Sequence, residues 1–150
     1  MTAIIQGSQL RNLLFGNAPI SKSTGTLAAT TVSLFTVAGG RVAVTSLIGV
    51  VGTSITVANS YKLQVNPTTG DTSDLVAATD IGTTDTTAGT VLGFDGDPTA
   101  SIVKGAGGLA RPLFLPAGDI ESVSAGTDGE ITWYLTYVPY DDGATVEAAA

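Results

Sequence analysis

Residues 130–138 read E-I-T-W-Y-L-T-Y-V. Ile131, Trp133, Leu135 and Tyr137 fall on one side of an extended chain. Glu130, Thr132, Tyr134 and Thr136 fall on the other. A period of two with one apolar side is the pattern of a β-strand that has one dry face. Asp128-Gly129 opens the stretch with a turn signal and Pro139 closes it. The reading is an antiparallel sheet packed over a core, with Trp133 and Tyr137 inside.

The same rhythm runs outward from this strand. Strands are expected over residues 32–37, 41–51, 61–65, 90–94, 101–104, 111–115 and 120–123. Turn signals such as Ala38-Gly39-Gly40, Asn66-Pro67 and Asp95-Gly96-Asp97-Pro98 lie between them. The phase of 41–51 slips near Ser46 to Ile48, which predicts a bulge. Residues 75–78 read as a short strand or a single turn. Residues 81–89 read as a polar loop with little to bury, and the last residues as an alanine tail. About eight or nine short strands at regular spacing predict an all-β fold, an antiparallel β-sandwich of jelly-roll-like form.

Residues 1–20 stand apart as an N-terminal arm, and 21–150 as the β-sandwich domain. Leu10, Leu13 and Leu14 have helical spacing, with Ser8 as a candidate cap and Gly16 as a candidate stop, and one short amphipathic turn or an extended arm both fit the segment. Ala18-Pro19 and residues 22–25 read as a connector. Ile4, Ile5, Leu10, Leu13, Leu14 and Phe15 are costly to leave in water, so the arm is expected to dock. Tyr134 and Tyr140 join them as candidate interface residues, because tyrosine is enriched at interfaces.

The chain of 150 residues is long enough for one domain that buries roughly 70% of its unfolded surface. Thr, Val, Gly and Ala dominate, as a pleated, turn-rich protein requires. There is no cysteine and no histidine. Disulfides, thiolate metal sites and the commonest general base are therefore absent. The net charge is −7, and the six basic residues are scattered. Neither a nucleic-acid backbone nor an anionic membrane surface is an expected partner. The N-terminus lacks a basic region followed by an apolar run, so synthesis in the cytoplasm is expected. No apolar stretch approaches the roughly 20 residues of a membrane span.

Several motifs invite chemistry. Gly105-Ala106-Gly107-Gly108 lacks the Gly-Lys-Ser/Thr ending of a phosphate loop and reads as a surface loop. Asp95-Gly96-Asp97 and Asp141-Asp142 lack the remaining ligands of a calcium loop and read as turns. Glu121 and Glu130 form a glycosidase-like pair only if a hairpin joins their strands in suitable register. The expectation is a protein that is not an enzyme and carries no cofactor and no metal.

Three stretches carry a family likeness: G-R-V-A-V-T-S-L-I-G-V-V (40–51), Y-K-L-Q-V-N-P-T-T-G-D-T-S-D-L-V-A-A-T-D-I (61–81) and I-T-W-Y-L-T-Y-V-P-Y-D-D-G-A (131–144). With them the chain resembles small virion structural proteins of tailed bacteriophages, of the capsid decoration type. The resemblance implies a β-sandwich, a homo-oligomer, with a trimer matching local three-fold positions, and attachment to the outer surface of a major capsid protein shell. It places the protein on the virion and transfers no functional residue. A tail or head-fibre component is the alternative within that class. A carbohydrate-binding module for host glycans is the alternative outside it.

Overall fold

The computed structural model describes residues 4, 6–96, 102–104, 108–109 and 112–150. Among the described residues one short helix, α1 (Gly7–Phe15), precedes thirteen strands. They are β1 (Ile20–Thr26), β2 (Thr31–Ala38), β3 (Val42–Thr53), β4 (Ser60–Pro67), β5 (Ser73–Asp74), β6 (Thr79–Asp80), β7 (Val91–Gly96), β8 (Ile102–Lys104), β9 (Gly108–Leu109), β10 (Leu113–Leu115), β11 (Gly118–Val123), β12 (Glu130–Pro139) and β13 (Thr145–Ala148).

Two sheets pack face to face, and among the described residues every strand pair is antiparallel except β7 with β9. Sheet I runs β1-β12-β3-β7-β8, with β10 also on β3; sheet II runs β13-β2-β11-β4-β5, with β6 also on β4. The antiparallel pairs nest inside one another: β1 with β12, β2 with β11, β3 with β7, β4 with β5. A ribbon folded over in this way is a jelly roll. Its outermost pair joins Ile20 to Leu135, so the fold closes through contacts between the two ends of the sequence.

The core forms where the inward faces meet. Ile131, Trp133 and Leu135 are fully buried and Tyr137 nearly so, as the alternation predicts. Tyr61 of sheet II and Phe94 of sheet I both stack on Trp133, with centroids 6.2 and 6.0 Å away. The Trp133 Nε1–H donates to the Tyr61 hydroxyl at 2.8 Å, which satisfies both polar tips in a dry place. Gly49 pairs with Trp133 across the ladder. A Cβ there would stand 3.1 Å from the indole, so a small residue makes room for the largest one.

Some expectations change. Residues 22–25 are not a connector but the middle of β1, with Lys22 and Ser23 paired to β12 and a bulge over Thr24 and Gly25. They are polar because β1 is an edge strand, where few side chains reach the core. The alanine tail contains β13, which covers β2 and buries Ala144, Val146 and Ala149. The loop at 81–89 does have something to bury. Ile81 is 0% and Thr86 1% exposed. Thr86 exchanges two backbone hydrogen bonds with Ile55, and its hydroxyl bonds the Ile81 carbonyl, so polar composition coexists with burial. Residues 75–78 form a bend whose Leu75 and Val76 are core. The bulge of β3 falls at Thr45, between the paired Val44 and Ser46. Helix α1 is capped by Gln6 rather than Ser8, and the Gln9 carboxamide accepts the Gln6 N–H.

Candidate docking surface

The arm and the outer face of sheet I form one apolar surface. No residue of α1 is buried. Leu13 and Leu14 are 77% and 64% exposed, and Ile4, Leu10 and Phe15 are also open to solvent. Ile5 lies outside the described residues. The helix ends at Gly16, whose φ of +89° favours glycine. A Cβ there would collide with the Tyr137 carbonyl and Val138, so glycine brings the arm directly onto β12. Asn17 N–H then donates to the Tyr137 carbonyl at 3.0 Å, and the Thr45 hydroxyl donates to the Phe15 carbonyl. Thr136, expected on the wet face, is buried here, bonded to Thr45 and Ser46 beneath the end of the arm.

Apolar rows extend from that contact across the sheet. Val138 pairs with Ala43, and Ala43 with Phe114 of β10. Tyr134, four residues back along β12, pairs with Ile48. Tyr134, Val138, Phe114 and Tyr140 are all large and exposed. A hollow of about 240 Å³ separates arm from sheet, lined by Arg11, Phe15, Pro19, Ser46, Ile48 and Thr136.

The far corner of this face is braced by charge. The Phe114 and Tyr140 rings meet edge to face at 5.3 Å. The Arg41 guanidinium lies 4.8 Å from the Tyr140 centroid and makes a two-point bond to Asp141, Nε to Oδ2 at 2.9 Å and NH2 to Oδ1 at 2.8 Å. The Arg41 N–H adds a third bond to Asp141. These bonds, the side-chain ones first, pull the Asp141 carboxyl down to about 2.

Other acidic groups are spent on the fold. Hydrogen bonds from the Thr83 side chain and the N–H groups of Gly82, Asn59 and Thr83 hold the Asp80 carboxyl well below the usual range. The Thr56 hydroxyl and N–H, with the Val57 N–H, lower Asp128. Glu121 and Glu130 do not share a hairpin: β11 belongs to sheet II and β12 to sheet I. The nearly buried Glu121 carboxylate accepts from Gln64 and Asn66, and Glu130 accepts from Ser23. Among the described residues no group of three or more acidic side chains comes together to hold a metal ion. Residues 105–107, the Asp97 turn and the side chain of Asp95 lie outside the described residues.

Sequence reasoning named the arm, Tyr134 and Tyr140. It missed Phe114, Val138 and the Arg41–Asp141 brace. Phe114 was legible, because in L-F-L the middle residue must face opposite to Leu113 and Leu115. The brace spans a hundred residues, and no local pattern announces it. No protein-family model, curated protein or solved structure matches this chain.

Proposed function

We propose that this protein is a virion structural protein. It decorates and stabilises a capsid by binding the outer surface of the major capsid protein shell, and it acts as a homotrimer. The observation that carries the reading is the continuity of the exposed arm with the apolar outer face of sheet I. A free monomer has little reason to leave so much apolar surface together in water. The resemblance of residues 40–51, 61–81 and 131–144 to phage virion proteins supplies the identity of the shell. A His- and Cys-free chain whose described carboxylates mostly bond their own backbone and neighbours is chemically quiet, which suits a coat. In this reading the protein is made in the host cytoplasm and ends on the capsid surface.

The aromatic corner weighs against the carbohydrate alternative. Phe114 and Tyr140 stand edge to face, and Arg41 occupies the Tyr140 ring. A sugar face needs a flat open ring, and this arrangement offers assembly surface instead. The test is binding of the purified full-length protein to capsids that lack it. Saturable binding, at a fixed copy number per major capsid subunit and lost in a variant lacking residues 2–17, is the expected result. Failure to bind shells at any concentration overturns the proposal.

A further inference from the structure

A groove of about 530 Å³ opens on the opposite edge of β3 from the arm, where β10 of sheet I faces β4 and β5 of sheet II. It is a seam that core side chains only partly seal. Val65, Leu75, Leu113 and Leu115 line it with 4–7% exposure, whereas Leu63, Ile120 and Trp133 in mid-core have none. We propose that this groove receives helix α1 of a second copy of the chain, so that the oligomer is built by exchange of arms.

The walls select a helix. Pro67, Pro112 and Pro116 stand around the groove. Proline has no N–H to give, so these stretches are poorly suited to adding a strand. A helix needs nothing from them, because its backbone bonds are internal, and it offers Leu10, Leu13 and Leu14 for packing. Charge agrees. Arg11 is the one charged side chain in residues 4–20. Asp71 and Asp74 sit at the groove, Asp74 already bonded to Lys62. The arm's own tether places α1 over β12, with β3 between it and the groove. Donor helix and acceptor groove are different patches, so the contact is head-to-tail, and a suitable rotation closes it into a ring.

The proposal rests on the oligomer part of the function above, and cysteine pairing tests it separately from capsid binding. The chain has no cysteine, so Leu13→Cys and Ser73→Cys, both at exposed positions, report only on each other. Mixing the two single variants under mild oxidation is expected to give a disulfide-linked dimer that neither gives alone. The Leu13→Asp/Leu14→Asp variant, altered at two exposed positions of the helix, is expected to sediment as a folded monomer. A bond formed only within one chain of the double-cysteine variant, or no bond at all, overturns the exchange. So does an unchanged oligomer in the aspartate variant. A folded arm-exchanged oligomer that fails to bind shells leaves the exchange standing and removes the capsid reading. A wild-type monomer that decorates shells does the reverse.

Discussion

The Trp133–Tyr61 bond shows how much rests on single atoms in this core. Tyr61→Phe keeps the ring stack but leaves a buried indole N–H without an acceptor. An unpaired buried donor costs about 1–3 kcal/mol, which a urea melt will read directly. The Tyr61 phenol is pushed far above the ordinary 10.0, first by burial. Its folded value is raised, so its contribution is full below pH 10 and is lost as pH climbs above that value. A spectrophotometric titration is expected to show Tyr61 ionising only as the protein unfolds. Asp141 works in the other direction. Its folded value, about 2 against an ordinary 3.8, gives stability that is present above 3.8 and is lost as pH falls toward 2. Wild type is expected to exceed Asp141→Asn in stability at neutral pH, with the gap closing across that acid window. A gap that persists at pH 2 would assign the effect to packing against Arg41 instead.

At the scale of elements, the two ends of the chain have opposite roles. No side chain of helix α1 is buried, so deleting residues 2–17 is expected to leave a cooperative melt with a nearly unchanged midpoint. Calorimetry on the truncated protein checks this, and loss of the sharp transition would make the arm part of the core. Strand β13 buries Val146 against β2 and is followed by Ala149, whose N–H bonds the Leu34 carbonyl. Removing residues 145–150 exposes the β2 edge and forfeits about 1.5–3 kcal/mol for the valine alone. A lower denaturation midpoint and self-association through the bared edge are expected. Asn59 holds the adjoining loops together. It is fully buried, and its Oδ1 accepts the Ala125 and Gly126 N–H groups at 3.0 and 2.9 Å.

For the whole molecule, the nested pairing fixes the folding problem. Most strand pairs join residues far apart in sequence, with β1 on β12 the extreme. Chains of high contact order fold in milliseconds to seconds rather than microseconds. Stopped-flow refolding monitored by Trp133 fluorescence is expected in that range or slower, and a microsecond phase that recovers all the signal would contradict the topology. Exchange of the exposed arm predicts association as a second whole-molecule property. Sedimentation is expected to show a single closed oligomer of constant size across micromolar concentrations, as closed symmetry requires.

What the sequence determined alone is the fold class and the principal strands of the core. Alternation at 61–65 and 130–138, with Gly, Pro and Asp between strands, specifies which side chains go inside, because burial in a sheet has a two-residue period that local sequence displays. The apolar row of the arm was equally plain, whereas the exposure of Leu10, Leu13 and Leu14 came only with the structure. The tertiary structure decided everything whose partner is remote. Residues 22–25 and 145–148 are strands because β12 and β2 offer them open edges, and their own polarity says nothing of it. Ile81 and Thr86 are buried because Ile55 pairs with the loop. Glu121 and Glu130 part company because consecutive strands enter different sheets. The groove between β10 and β5 exists only once both sheets are assembled, since a surface made by two distant segments has no signature in either.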